Sequence, residues 1–211
     1  FKKTFYTLDR NRKEITMILG LGHPRTGTGF TSTLLSAWGL DVRHESMGKD
    51  GTVSWPLISE KGPYPFITPK VDTRPKFDLL IYNVRNPRNS LPSIIFTEDT
   101  NKKSRKFRKN LGVFYGKNNY ENAIRSILLF DKLITEMKPD ITYCIESDEM
   151  NLFNFLSNQF PIEYKPIQKN TKNLNKRNHN DIDMNELKHC DVTLLKNLNE
   201  FCLRYNYPEI I

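Results

Sequence analysis

Three stretches of the chain hold side chains whose types and spacing suit anion binding and proton transfer. The first is Gly22-His23-Pro24-Arg25-Thr26-Gly27-Thr28-Gly29. Its glycines permit a tight backbone path, along which successive N–H groups can converge on an anion. Arg25 adds a full positive charge, and Thr26, Thr28 and Thr31 offer hydroxyls. The second stretch is Arg85-Asn86-Pro87-Arg88-Asn89-Ser90-Leu91-Pro92-Ser93, with Arg85 and Ser93 eight residues apart. A planar guanidinium binds a phosphate dianion through two parallel bonds, and a serine hydroxyl can add a third. The third stretch, residues 43–55 (RHESMGKDGTVSW), supplies two candidate proton acceptors, His44 and Glu45.

Groups of this kind act only if regular elements bring them together. Residues 15–21 (ITMILGL) form an apolar, β-branched run that predicts a buried strand ending at the glycine-rich turn. Phe30, Leu34, Leu35 and Trp38 then recur at helical spacing, with Gly39 as the stop. That order places the turn at a helix N-terminus, where the backbone carries partial positive charge. A short strand is expected over residues 40–43 and a second buried strand over residues 78–84 (DLLIYNV), directly before Arg85. Proline-rich residues 63–75 read as a loop. Residues 101–110 (NKKSRKFRKN) read as a basic polar segment without a strong period, a solvated loop.

Residues 120–137 carry Ile124, Ile127, Leu128 and Ile134 on one face, an amphipathic helix ended by Pro139. A strand over 141–145, a short helix over 150–156 and a terminal helix over 192–205 follow. The terminal helix turns Leu194, Leu195, Leu198, Phe201 and Cys202 inward. Residues 165–181 read as a polar loop. Alternating strands and helices predict an α/β chain, a three-layer α/β/α arrangement around a central parallel sheet. No internal repeat or second domain is visible, so residues 1–211 read as one domain.

The 211 residues are 37% hydrophobic and 27% charged, a globular balance. A net charge of +8 favours anionic partners: a polyphosphate cofactor, an anionic polysaccharide, nucleic acid or a membrane surface. Cys144, Cys190 and Cys202 lack C-x-x-C spacing, so neither a zinc site nor a disulfide framework is expected. No run approaches the roughly 18 apolar residues that a membrane span needs. With no leader pattern, a cytoplasmic location is expected, although the start at Phe1 leaves a trimmed leader or anchor open.

Gly22 and Gly27 have the separation seen in G-x-x-x-x-G-K-[ST], but Thr28 stands at the lysine position and Gly29 at the hydroxyl position. The groups that reach the β- and γ-phosphates and hold magnesium are therefore missing, which disfavours ATP–magnesium chemistry. Pro24-Arg25-Thr26-Gly27-Thr28 instead resembles the 5′-phosphosulfate loop of sulfotransferases, P-[KR]-[ST]-G-T-[TS], with Gly29 where a hydroxyl residue is usual. Arg85 to Ser93 resembles the 3′-phosphate motif of that family, R-[ND]-P-x(5)-S. The likeness is specific over residues 21–55 and 84–93 and loose elsewhere, and its arginine in the loop is closer to bacterial and carbohydrate-type members.

The resemblance implies a P-loop-like fold and 3′-phosphoadenosine 5′-phosphosulfate (PAPS) as donor, with 3′-phosphoadenosine 5′-phosphate as product and no metal requirement. Arg25, Thr26, Gly27, Thr28, Gly29, Phe30, Arg85 and Ser93 would bind the nucleotide. Arg25 would also neutralise the bridging oxygen, and Phe30 would meet the adenine. Residues 44–55 look like a bacterial H-E-x-M-G-x-D-G-x-x-S-W segment. A glutamate in this region is the usual base of glycan sulfotransferases, so Glu45 is the first candidate base and His44 the second. The acceptor would be a hydroxyl on a small molecule or glycan.

An anionic acceptor would suit the basic run Lys102, Lys103, Arg105, Lys106, Arg108 and Lys109. The family's C-terminal R-x-G-x-x-G-D-W motif is absent, and Lys172, Lys176 and Arg177 are candidates to stand in for it. His23 borders the loop and reads as structural; His179 and His189 read as surface residues. Two other readings stay open: a nucleotide or small-molecule kinase with a degenerate loop, and a non-catalytic anion- or nucleic-acid-binding protein. No recognisable nucleic-acid reader motif supports the last.

Overall fold

The computed structural model describes residues 17–116, 118–167 and 181–211. Residues 15–16 of the first expected strand lie outside them, as do Lys172, Lys176, Arg177 and His179. Five strands form one sheet: β1 (Ile18–Leu21), β2 (Val42–His44), β3 (Gly51–Val53), β4 (Leu79–Val84) and β5 (Ile141–Cys144). Their order is β2-β3-β1-β4-β5 and every pair is parallel. The helices are α1 (Thr28–Ala37), α2 (Pro87–Ser93), α3 (Lys102–Asn110), α4 (Asn119–Glu136), α5 (Glu149–Ser157), α6 (Met184–Lys188) and α7 (Val192–Arg204). A 3-10 turn at Trp55–Ile58 follows β3, and a π-helical turn at Ile94–Glu98 continues α2.

A parallel sheet needs apolar side chains on both faces, and the strand sequences supply them alternately. Ile18, Val53, Leu79, Ile81 and Tyr143 point to one side, against Leu34, Leu35 and Trp38 of the α1 region and Leu152 and Leu156 of α5. Leu19, Leu21, Tyr82, Val84 and Cys144 point to the other, against Leu91, Ile124, Ile127, Phe130, Leu198 and Phe201. The result is the expected three-layer α/β/α arrangement. Asp131 of α4 ties β4 and α7 together by accepting bonds from Tyr82 Oη, Tyr205 Oη and Arg204 Nη1 at 3.1, 2.6 and 2.7 Å. No helix among the described residues is long and apolar enough to cross a membrane.

Two features depart from the expectations drawn from sequence. The strand expected over 40–43 is Val42–His44, and a further strand, β3, lies between it and β1. β3 is only Gly51-Thr52-Val53, too short for a hydrophobic pattern to declare it. Its parallel pairing with β2 leaves six residues to carry the chain back along the sheet, where about a dozen are usual. Glu45 starts that reversal with φ 52°. Gly48 passes so close beneath Asp41 that a Cβ would lie 1.9 Å from its carbonyl oxygen.

The second departure is α3, a helix where a solvated basic loop was expected. Asn101 caps it by accepting bonds from the backbone N–H groups of Lys103 and Ser104. Its inward stripe is Ser104, Phe107 and Arg108, a helical i, i+3, i+4 period written mostly in polar residues. Arg108 is fully buried and paired with Asp99 at 2.8 Å, while the other basic side chains of the run are exposed.

Gly51 marks the closest approach of β3 to β1, with φ 136° and an added Cβ 2.0 Å from the Ile18 carbonyl oxygen. Gly51→Ala is expected to lower stability in urea denaturation by about 3 kcal/mol. Gly39→Ala, with φ 101° but open space around it, is expected to cost about 1 kcal/mol of backbone strain. Equal losses at the two positions would contradict this packing.

Candidate functional site

Because all five strands run the same way, the segments after each of them gather at one edge. The chain leaves β1 toward β2 and β3 and later returns to β4 on the other side of β1. Ligands of open parallel sheets bind in the crevice at such a switch point. The glycine-rich loop fills the β1 side of this crevice and the Arg85 corner fills the β4 side.

The path of the loop is set by where its carbonyl groups go. The His23 carbonyl accepts from Thr26 N at 3.0 Å and from Thr26 Oγ1 at 2.7 Å. The Pro24 carbonyl faces His23 Nδ1. The Arg25 carbonyl accepts from Arg85 Nη1 at 3.1 Å, and the Thr26 carbonyl from Asn83 Nδ2 at 3.1 Å. The Gly27 carbonyl accepts from Thr31 N at 2.9 Å. Five successive acceptors are thus engaged by the protein. The N–H groups of Gly27, Thr28, Gly29 and Phe30, at the start of α1, have no backbone partner among the described residues. Such a turn collects donors and helix-dipole charge on its outer side.

Glycine is required at two positions here. A Cβ on Gly22 would meet Asn83 Nδ2 at 2.4 Å, and Gly27 combines φ 90° with a Cβ position 2.6 Å from Ile145. Arg25 itself holds φ 81°, a left-handed conformation that costs a side-chain-bearing residue about 1–2 kcal/mol. Arg25 and Glu45, two residues singled out for chemistry, are both strained in this way; strain of this kind clusters at functional sites.

The glycine-rich turn and the Arg85–Ser93 segment touch. Arg25 Nε donates to Ser93 Oγ, at the end of α2, at 2.8 Å. Arg85 is half-buried. Desolvation lowers its pKa, the Glu146 carboxylate raises it, and the Arg25 charge lowers it further. Two guanidinium groups sharing a partly desolvated crevice favour an anion between them. Glu146 lies 4.0 Å from Arg85 Nε and is itself fixed by Asn86 N, Asn89 Nδ2 and Tyr207 Oη at 3.1, 3.0 and 2.7 Å.

Of the hydroxyls expected to face a ligand, Thr26 and Thr31 are turned inward. Thr26 Oγ1 donates to the His23 carbonyl, and Thr31 Oγ1 is shared between the Gly27 carbonyl and Tyr143 Oη. Their side chains build the loop, leaving Thr28 as its hydroxyl nearest the candidate bases. Thr28 Oγ1 lies 3.1 Å from His44 Nε2. Phe30 is half-buried at the start of α1, packed on the α1–α5 side of the sheet.

His44 and Glu45 stand at the carboxyl end of β2, beside the loop. Crowding by protein and the Arg25 charge both lower the His44 pKa, although the residue is exposed. Glu45 is half-buried, and its carboxylate accepts from Trp55 Nε1 at 3.1 Å. Desolvation raises its pKa to about 7, the Trp55 bond opposes that rise, and the Glu98 charge adds to it. Arg43 pairs with Asp41 at 2.7 Å, leaving Glu45 unclaimed by it. A carboxyl that titrates near neutrality is suited to accepting a proton.

Sequence reading missed Asn83, Ser126, Glu146 and Tyr207, and it placed Arg108 among the side chains open to an anionic acceptor, whereas Arg108 is fully buried and paired with Asp99. Asn83 left a signal, as the one amide side chain inside the apolar run LLIYNV. Among the described residues, no cluster of three or more His, Cys, Asp and Glu side chains is arranged to hold a metal. Comparison with protein-family models, curated proteins and solved structures gives no match.

The raised pKa of Glu45 carries a stability consequence. Folding favours its protonated form, so stability is lost as pH rises from the ordinary value of 4.5 through about 7. Glu45→Gln removes that loss. Thermal melts at constant ionic strength should show the variant more stable than wild type at pH 8 and equal to it at pH 4. A variant less stable at pH 8 would contradict the desolvated setting.

Proposed function

We propose that the chain is a sulfotransferase that moves the sulfuryl group of PAPS to an acceptor hydroxyl, on a small molecule or a carbohydrate. The observation that carries this reading is the 2.8 Å contact between Arg25 and Ser93. It joins an anion-binding turn to a second guanidinium-and-serine pair within one crevice. A nucleotide bearing both a 5′- and a 3′-phosphate on one ribose is the ligand that would use both. A nucleoside triphosphate would leave the Arg85 side idle and lack the lysine and magnesium-binding hydroxyl that its chemistry uses.

In this reading the amides of Gly27, Thr28 and Gly29 bind the 5′-phosphosulfate and Phe30 borders the nucleotide. Arg25 steadies the charge that grows on the bridging oxygen as the S–O bond breaks. Arg85 and Ser93 hold the 3′-phosphate. Glu45 takes the acceptor proton, while Thr28 and His44 border the same space. Positive charge on the leaving side and a neutral-pH base on the acceptor side are the two requirements of an in-line sulfuryl transfer.

Calorimetry should show adenosine 3′,5′-bisphosphate binding more tightly than ATP–magnesium; the opposite order would remove the proposal. Arg85→Ala should weaken the bisphosphate ten- to hundredfold, about 1.5–3 kcal/mol for a charged bond, and change 5′-AMP less than threefold. Equal losses for both ligands would contradict a 3′-phosphate role. For turnover, kcat/KM should fall tenfold per pH unit below about 7. Glu45→Ala should abolish that turnover while binding the bisphosphate as wild type does, and retained activity would exclude Glu45 as base.

A further inference from the structure

His23 borders the phosphate-binding turn without belonging to its ligand-facing side, and its surroundings fix its proton. The ring is buried, edge-on to Phe130. Its Nδ1 faces the Pro24 carbonyl, which can only accept, so Nδ1 carries hydrogen. In a neutral ring Nε2 is then an acceptor, and Ser126 Oγ lies 2.7 Å from it. The same Ser126 oxygen accepts from Arg108 Nη1 at 3.2 Å. Arg108 can only donate, so the bonds run one way, from Arg108 to Ser126 to His23 to the Pro24 carbonyl.

The head of this chain is itself immobilised. Arg108 is fully buried and also bonds Asp99 Oδ1 at 2.8 Å, the Glu98 carbonyl at 3.1 Å and Ser104 Oγ at 3.2 Å. Burial, and then the Arg108 charge, hold the His23 pKa well below its ordinary value. The ring is therefore neutral at physiological pH.

The tail of the chain acts on Arg25. A trans peptide points its N–H opposite its C=O, so pinning the Pro24 carbonyl to the buried ring turns the Arg25 N–H away from it. The next carbonyl, that of Arg25, is pinned by Arg85. The left-handed Arg25 backbone thus sits between two clamps, one from β4 and one from the α3–α4 side.

We infer that His23 is a positioning residue: Arg108 and Ser126 lock its imidazole in the Nδ1–H tautomer, and that N–H fixes the backbone of Arg25 in the phosphate-binding turn. The inference deepens the proposed function, and its link to ligand affinity rests on that reading. The tautomer itself can be read without ligand.

In ¹⁵N-histidine spectra of the free protein, His23 should show a protonated Nδ1 and a bare Nε2 at pH 7. An Nε2–H ring or an imidazolium would overturn the inference. Ser126→Ala removes the donor to Nε2; it should give a mixture of tautomers and weaken adenosine 3′,5′-bisphosphate at least fivefold. A folded Ser126→Ala chain that binds within twofold of wild type would overturn it. His23→Asn keeps an N–H near the position of Nδ1–H and should bind within threefold of wild type, whereas His23→Leu should bind at least tenfold more weakly. Equal affinity of these two variants would also overturn it. If the wild-type chain binds no bisphosphate, the proposed function falls, and the tautomer spectrum still decides the assignment of His23.

Discussion

Every carbonyl from His23 to Gly27 is taken up by the protein, and the rest of the site follows from that constraint. Buried backbone acceptors need partners, and satisfying them on the inner side of a turn leaves its donors free to face outward. Here the acceptors are satisfied by groups from distant parts of the chain: Asn83 and Arg85 at the end of β4, and His23 braced by Ser126 of α4. These interactions hold a bulky residue, Arg25, at φ 81°. The local strain is offset by buried hydrogen bonds that reach across the fold.

The sheet makes those meetings possible. β1 and β4 pair in register from Ile18 with Leu79 to Leu21 with Tyr82, so the next residues on each strand, Gly22 and Asn83, lie against one another. Glycine at position 22 admits the Asn83 amide, and the amide reaches Thr26. On the far side of β1, the short return between β2 and β3 forces Glu45 into its reversal at the same edge. The glycine-rich turn and the neutral-pH carboxyl are products of one topology.

Much of the fold was legible because parallel strands buried on both faces write long apolar runs. β1, β4 and β5 declared themselves in this way, and α4 and α7 by apolar residues recurring on one helical face. β3 did not, since three residues carry no period, and neither did α3, whose inward stripe of Ser104, Phe107 and Arg108 is mostly polar. Arg25, Glu45, Arg85 and Ser93 could be picked out by residue type and spacing, and the structure gathers them at one edge. The hydroxyls of Thr26 and Thr31 could not be assigned a direction from sequence, because turning inward depends on Asn83 and Tyr143 from other strands. The roles of Asn83, Ser126 and Glu146 were hidden for the same reason, since contacts more than fifty residues away in the chain make them, and the inward turn of Arg108 depends on an unexpected helix.

In the proposed function one crevice accepts two phosphates of one nucleotide. A crystal structure with adenosine 3′,5′-bisphosphate tests it most directly. The 5′-phosphate is expected on the amides of Gly27, Thr28 and Gly29, and the 3′-phosphate on Arg85 and Ser93. A bisphosphate bound elsewhere, or held at the turn with its 3′-phosphate away from Arg85, would contradict it.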